Sequence, residues 1–339
     1  MQLRDLPLST VREALEDSGL ALDFGFARAR VRSDAPGLAD VLQFIYGAYP
    51  YEEPRGFFDV TAAVRRVSGL RRNIRSQVVF FLDGETPFEP FAASNHLPLM
   101  EWGLNWCFAA RSNQHLLLHA GVVEHNGRAV LLPALPESGK STLTAALNAT
   151  GYRLLSDEFG AIRLTDGAVL PLVRAVALKN ASIQVIRRFA PNARIGPVFP
   201  KTRKGDVAHM VPSDGDVASR HVPADPAYIV FPKFDPGAEA RLEALAPARA
   251  FVKLSSNSFN YPILGPDAFD AVGTLARRCP SFRLTFGNLH GAVDAIGQLL
   301  GLPSAPNSTL AEFPALESRN DEHGHAAYAF PAAAAEAID

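Results

Sequence analysis

The residues best suited to chemistry lie between 134 and 142, where the sequence reads ALPESGKST. A loop that binds phosphate needs converging backbone N–H groups, a lysine ammonium that reaches the terminal phosphates, and a hydroxyl that ligates Mg²⁺. Gly139, Lys140 and Ser141 supply these parts in order. The pattern predicts a loop that binds ATP and Mg²⁺ through Glu137, Ser138, Gly139, Lys140, Ser141 and Thr142.

Two residues of this loop depart from the usual pattern. Ala134 stands where a phosphate-binding loop most often has its first glycine, so the chain there must use ordinary dihedral angles. Pro136 has no backbone N–H and removes one donor. The alternative to a phosphate-binding loop is an ordinary turn that contains Gly139, Lys140 and Ser141.

The elements around the loop are those that a nucleotide site requires. RAVLLPA before the loop is typical of a buried strand, and STLTAALNATG after it predicts a helix from about 140 to 149 that ends near Gly151. The N-terminal dipole of this helix would face the phosphates. A second apolar strand in YRLLSDEFGAIRL follows, and the order strand, loop, helix, strand predicts an α/β nucleotide-binding unit.

Two adjacent carboxylates, Asp157 and Glu158, follow that second strand. Phosphoryl transfer needs one carboxylate to accept the proton of the acceptor hydroxyl, and another to hold Mg²⁺ directly or through water. The alternative is a solvated strand end or a cap for the next turn. His119 lies in the apolar run LLLHAG, where a lone histidine is typically a hydrogen-bonded core residue.

The stretch from His119 to Glu158 resembles the catalytic core of bacterial HPr kinase/phosphorylase and its HPr-kinase-related offshoots. The resemblance implies a P-loop kinase domain of the HPr kinase/PEP carboxykinase-like type. It assigns Lys140 to catalysis and phosphate binding, Ser141 to Mg²⁺, Asp157 to the catalytic base, and His119 to a place near the phosphates. Glu158 stands where the family has a second Asp, and the chemistry of the paired carboxylates makes it the expected second ligand of Mg²⁺. Residues 1–90 do not resemble the N-terminal domain of HPr kinase, and the family's glycine-rich signature is not recognisable in LPLVRAVALKN. A stand-alone offshoot is therefore expected.

A basic run follows the carboxylates. Residues 167–205 contain eight lysines and arginines and no acid: Arg174, Lys179, Arg187, Arg188, Arg194, Lys201, Arg203 and Lys204. Such a run is usually a solvated face, but here it is also suited to hold a γ-phosphate, an anionic acceptor or an acidic peptide. Arg174, which we predict to be catalytic, and Lys179 lie nearest the carboxylates in sequence. TRKGDVAH, residues 202–209, is typical of a loop that acts as a lid.

The remaining patterns predict three regions. Residues 1–95 form a small strand-rich N-terminal domain, which opens with a helix capped by Thr10 and Glu13. Residues 96–302 form the catalytic domain, with a helix over 98–114 and a hairpin of strands 116–124 and 128–133 around Asn126-Gly127. Residues 303–339 form a tail rich in Pro, Ala and Ser, expected to be loose.

Composition restricts the partners and the compartment. A formal net charge of -2 favours neither nucleic acid nor an anionic membrane as a partner. The two cysteines, Cys107 and Cys279, match no zinc or redox spacing and indicate buried thiols. The first residues have no signal-peptide pattern, so a cytoplasmic protein is expected. Assembly into a homo-oligomer stays open.

These features together predict an ATP- and Mg²⁺-dependent kinase that transfers the γ-phosphoryl group to a hydroxyl. The acceptor hydroxyl belongs to a carrier protein, to a biosynthetic peptide as in the related lasso-peptide kinases, or to a small metabolite. Two alternatives remain. One is a nucleotide-gated regulatory ATPase, and the other is a non-catalytic nucleotide-binding module.

Overall fold

Alternating buried and exposed residues form a five-stranded sheet at the start of the chain in the computed structural model, which describes residues 1–67, 76–135 and 137–302. Its strands lie in sequence order: β1 (Leu20–Asp23), β2 (Arg28–Ser33), β3 (Val60–Arg66), β4 (Gln77–Leu82) and β5 (Phe91–Ala92). The helices here are α1 (Leu8–Glu16), α2 (Leu38–Ile45) and α3 (His96–Arg111), and 3-10 turns cover Leu3–Asp5 and Ala93–Asn95. The strands predicted in this part of the chain are therefore present.

The core around this first sheet does not stop at residue 95. Leu117, Phe159 and Ala161 belong to the same cluster of buried side chains as the apolar residues of α2, α3 and β3. Residues Met1–Ala305 form one compact unit. The first sheet therefore packs against the strands that carry residues of the predicted site.

A second, eight-stranded mixed sheet lies at the centre of the chain. Its strands are β6 (His115–His125), β7 (Arg128–Pro133), β8 (Arg153–Ser156), β9 (Phe159–Arg163), β10 (Val169–Leu170), β14 (Asp225–Phe234), β15 (Arg241–Leu245) and β16 (Ser281–Phe286). They lie in the order β10-β9-β6-β7-β14-β16-β15, and β8 pairs with β6 beside β9. The α/β class predicted from the sequence is confirmed at this level.

Strand direction decides where a site can form in this sheet. β14 runs parallel to β7 and to β16, while β6 runs antiparallel to β7, β8 and β9. Strands β7, β8, β14 and β16 therefore all point the same way, and their carboxyl ends meet at one edge. Ligands of open α/β sheets bind beyond the carboxyl ends of parallel strands.

Helices cover both faces of the central sheet. On one face, α4 (Lys140–Ala149) and α10 (Leu289–Leu300) bury apolar side chains against Val130 and Leu132. On the other, α7 (Pro247–Ser256) and α9 (Pro266–Arg278) pack on Leu131 and its neighbours. The alternation of β7 residues between the two cores is what a strand buried on both sides requires.

A third sheet, of three strands, follows Asp157 and Glu158 in the sequence. β11 (Val176–Lys179), β13 (Gly205–Met210) and β12 (Phe199–Thr202) pair antiparallel in that order. The remaining helices are α5 (Ala181–Phe189), α6 (Asp214–Ala218) and α8 (Tyr261–Leu264). The prediction of a loop over 202–209 is wrong, since most of that segment is strand β13.

Other local predictions have mixed outcomes. The hairpin turn is confirmed, with positive φ at both Asn126 (52°) and Gly127 (80°), as a type I′ turn demands. The Thr10–Glu13 capping box is wrong, because α1 begins at Leu8 after Pro7 and has no side-chain cap. A proline just before the first turn supplies a helix start without a polar cap. The helix predicted over 98–114 is present as α3, from His96 to Arg111.

Some expectations concern residues outside the described part of the chain. Pro136 and the tail, 303–339, are among them. Within the described residues, no helix combines the length and the apolarity needed to cross a membrane.

A close approach between β6 and α4 gives a test of this packing. A Cβ added to Gly121 would lie 2.2 Å from Thr144 Oγ1, so Gly121→Ala is expected to destabilise the fold by about 1–3 kcal/mol. Thr144→Ala removes the clashing oxygen, so the double variant should lose less stability than the sum of the single losses. Denaturant unfolding of all variants measures this, and strictly additive losses would contradict the close approach.

Candidate functional site

The predicted phosphate loop joins the end of β7 to the start of α4, at the edge where the parallel strands end. Gly139 has φ +85° and precedes the first residue of α4, and Glu137 has φ +68°. A Cβ on Gly139 would lie 3.1 Å from the Phe286 ring and 3.2 Å from Phe234 Cβ. Phe234 also donates its backbone N–H to the Ser138 carbonyl at 3.0 Å. The loop is thus fastened to the ends of β14 and β16, and only glycine suits position 139.

The donors of this loop converge at the start of α4. The first N–H groups of a helix have no partner within the helix and carry the positive end of its dipole. Ser138 adds a hydroxyl oxygen that is buried and makes no hydrogen bond to any residue that the structure describes. Ala134 at the other end of the loop donates its N–H to the His119 carbonyl at 3.3 Å, with an ordinary backbone. An anion with several oxygens fits this set of donors.

Lys140 and Ser141 meet Asp157 across the start of α4. Lys140 is 7% exposed; its ammonium donates to the Asp157 carbonyl oxygen, and its Nζ lies 3.4 Å from Asp157 Oδ1. The Ser141 hydroxyl lies near enough to the same carboxylate to favour its charged form. Burial raises the pKa of Asp157, and the charge of Lys140 only partly offsets this effect. The carboxylate is therefore a stronger proton acceptor than an exposed aspartate.

Asp157 and Glu158 lie in the turn between β8 and β9. Both of these strands pair with β6. Ser156 Oγ accepts the N–H of Glu158 at 3.3 Å and of Phe159 at 3.0 Å, which closes the turn. The carboxylates therefore lie at the end of the strand that follows α4, as predicted.

His119 faces Glu158 from β6. The Nε2 to Oε1 distance is 3.7 Å, close enough for an ion pair if the ring were charged. Burial, followed by the charge of Lys140, lowers the pKa of His119 to about 4, so the ring is neutral near pH 7. Lys140 opposes a second positive charge there, so the short distance to Glu158 does not make an ion pair. His119 is thus a neutral hydrogen-bonding group beside the carboxylates.

The backbone of His119 is held by Asn257, the residue that follows α7. Its N–H donates to the Asn257 carbonyl at 2.8 Å, and Asn257 Nδ2 donates back to the His119 carbonyl at 2.7 Å. The ring packs edge-on against Phe259 at 5.5 Å between centroids. Sequence reasoning missed Asn257, which follows His119 by 138 residues, and no local pattern marks it.

Glu158 carries the more acidic of the two carboxyl groups. Burial opposes its ionisation, but the positive charge of Lys140 heads a group of opposing effects that includes Lys179 and Lys204, and the pKa of Glu158 is lowered overall. The side chain is 38% exposed. A charged, partly accessible carboxylate suits a magnesium ligand, as predicted for this position.

Arg174 lies on the far side of the carboxylates, in a buried ion pair. Its Nη2 is 2.5 Å from Glu101 Oε2 on α3, and its Nη1 donates to Asn105. The guanidinium also stacks near the rings of Phe24 and Phe108, at 5.5 and 5.6 Å. Arg174 shares a small cavity with Asp157 and Glu158, but its charge is directed at α3. A catalytic role for Arg174 stays a prediction.

The residues present fit a magnesium nucleotide. Within the described ranges, no group of three or more His, Cys, Asp or Glu side chains forms a metal cage. Mg²⁺ does not need one, because it usually keeps several waters and binds substrate phosphates with one or two protein oxygens. The Ser141 hydroxyl and the Glu158 carboxylate offer two such oxygens beside the phosphate donors of the loop.

Comparison with known proteins does not identify a family for this chain. No model of a known protein family matches the sequence, and no curated protein matches it.

The buried Arg174 and Glu101 pair yields a prediction. Arg174→Met leaves Glu101, only 7% exposed, without its cation. Removing one partner of a buried pair typically costs about 3–5 kcal/mol. Adding Glu101→Gln removes the orphaned charge, so the double variant should recover part of the stability. Chemical denaturation of both variants measures the loss, and a double variant no more stable than Arg174→Met would contradict the pairing.

Proposed function

We propose that this protein is an ATP- and Mg²⁺-dependent kinase that transfers the γ-phosphoryl group of ATP to a hydroxyl acceptor. The observation that carries the proposal is the meeting of Lys140 and Ser141 with Asp157, beside the pair of His119 and Glu158. These groups come from the loop, from the turn after β8 and from β6. Phosphoryl transfer works mainly by positioning and charge stabilisation, for which such a set of groups is suited.

The nucleotide phosphates would lie against the loop and the first turn of α4. In this arrangement, backbone N–H groups of the loop and of the first turn of α4 would face the phosphate oxygens. The Ser138 N–H is not among them, because it donates to the Leu135 carbonyl at 3.4 Å. Lys140, the first residue of α4, would present its ammonium to the terminal phosphates. Ser141 and Glu158 would hold Mg²⁺, which would neutralise charge on the phosphates.

Asp157 accepts the proton of the acceptor hydroxyl. The hydroxyl oxygen forms a bond to the γ-phosphorus, the bond from that phosphorus to the bridging oxygen of ADP breaks, and the proton moves to the Asp157 carboxylate. The raised pKa of Asp157 favours this step. His119, which stays neutral, donates a hydrogen bond to a phosphoryl oxygen without adding charge.

The chemistry of Asp157 suits a hydroxyl acceptor of any kind. The hydroxyl belongs to a carrier protein, to a biosynthetic peptide or to a small metabolite. The resemblance of residues 119–158 to HPr-kinase-related proteins agrees with a hydroxyl acceptor. Incubation with γ-labelled ATP, with and without candidate acceptors, separates a kinase from an ATPase and from a binding module. A kinase transfers the label to the acceptor, an ATPase hydrolyses ATP without an acceptor, and a binding module only binds ATP.

The loop lysine gives the first functional prediction. Lys140→Ala should weaken Mg²⁺–ATP binding by about 1.5–3 kcal/mol, the usual value of a hydrogen bond to a charged group, and should abolish turnover. Lys253→Ala is the matched control, because Lys253 lies on α7 above Phe231 rather than at the loop. Calorimetry measures both affinities, and equal affinity in Lys140→Ala and the wild type would remove the phosphate loop from the proposal.

The buried carboxylate gives the second. Asp157→Asn should keep the nucleotide bound but slow transfer by about 10²–10⁴, the usual contribution of a positioned base. The same change at Asp166, which is exposed and paired with Arg163, should leave the rate unchanged. Single-turnover transfer of labelled phosphate measures the effect. A wild-type rate in Asp157→Asn would show that another group is the base.

A further inference from the structure

The three-stranded sheet borders the two carboxylates. Ala177 of β11 and His209 of β13 are paired neighbours, and they line the same small cavity as Asp157 and Glu158. The basic run of the sequence contributes β11, β12 and the turn before β13. Some of its cations must therefore lie near the proposed phosphoryl-transfer site.

Strand alternation selects the first of them. Val176 and Leu178 of β11 are buried in the core that contains Leu143 of α4. Ala177 points to the opposite face, toward the carboxylates. Lys179 follows Ala177 by two positions and shares its face, because side chains of a strand alternate. Its side chain is exposed at the end of the strand.

A turn held by hydrogen bonds places Lys204 beside Lys179. Asn180 has φ +49° and exchanges two hydrogen bonds with Asp206, at 2.8 and 3.0 Å. A Cβ on Gly205 would lie 2.1 Å from Asn180 Oδ1, so the turn and the end of β11 are in close contact. Thr202 Oγ1 accepts the Lys204 N–H at 3.1 Å. A left-handed asparagine held in this way marks a turn whose position is fixed by its surroundings.

Electrostatics agree with this placement. Lys179 and Lys204 are among the positive charges that lower the pKa of Glu158 and of His119. Burial lowers the pKa of Lys204 itself, and the nearby charge of Glu158 opposes that effect. Arg203 has a different neighbour, the Phe91 ring at 4.8 Å. Two lysines of the run therefore face the site.

We propose that Lys179 and Lys204 form a binding site for a phosphoryl oxyanion at the mouth of the Asp157 and Glu158 site. The inference rests on the proposed function and adds two residues to it. The oxyanion is the terminal phosphate of ATP. The same chemistry would suit an anionic group on the acceptor, which the second arm of the experiment distinguishes.

The first arm compares ATP with ADP in the full-length protein. Calorimetry gives the affinity for Mg²⁺–ATP and Mg²⁺–ADP in the wild type and in Lys179→Ala/Lys204→Ala. We expect the double variant to lose about tenfold or more in ATP affinity, since a charge-assisted contact to phosphate is commonly worth about a factor of ten. ADP affinity should be nearly unchanged. Lys179→Arg/Lys204→Arg should restore the preference for ATP.

The control is Arg187→Ala/Arg188→Ala. These two cations belong to the same basic run but lie exposed on α5. Their removal lowers the net charge equally and should leave both affinities at wild-type values. The effect at Lys179 and Lys204 should also shrink at high salt, because exposed charges are screened.

The second arm measures binding of inorganic phosphate to protein saturated with a non-hydrolysable ATP analogue. Phosphate binding that disappears in Lys179→Ala/Lys204→Ala, with the ATP preference unchanged, assigns the lysines to an anionic group of the acceptor. If the double variant changes neither measurement, the oxyanion site is wrong while nucleotide binding stands. If the wild type binds neither nucleotide, the proposed function and this inference fall together.

Discussion

The contact between Lys140 and Asp157 is the interaction on which the candidate site depends. A buried ammonium and a buried carboxylate are tolerated only as partners, since either alone would be costly to desolvate. The pair joins the first turn of α4 to the turn after β8, so it fixes the distance between the loop and the carboxylates. The same lysine helps to keep His119 neutral and Glu158 ionised. One positive charge thus acts, together with burial, on the pKa of three neighbours.

The direction of the strands gives that contact its place. Because β7, β8, β14 and β16 run the same way, the loop and the carboxylates meet at one edge of the sheet. The antiparallel strand β6 brings His119 to this edge from the other direction. Ala177 of β11 and His209 of β13 line the small cavity that the carboxylates share. The site therefore combines residues from three separate parts of the sequence around the N-terminus of α4.

Local patterns in the sequence predicted the parts of this arrangement, and non-local contacts decided the rest. The Asn126-Gly127 hairpin and α4 follow from turn chemistry and helix propensity. Contacts such as the one between Asn257 and His119 join residues far apart in the chain and leave no local mark. The fold of the basic run was misjudged at TRKGDVAH because pairing with β11 outweighs its glycine and its charges. The place of His119 beside the carboxylates was expected only from a family resemblance.

Amide hydrogen exchange, with and without saturating Mg²⁺–ATP, reports directly on the loop and the first turn of α4, whose backbone N–H groups we propose to bind the phosphates of a nucleotide. We expect Mg²⁺–ATP to slow exchange at residues 137–142, while exposed turns such as Asn126-Gly127 exchange as before. Unchanged exchange at residues 137–142 under saturating Mg²⁺–ATP would contradict this proposal.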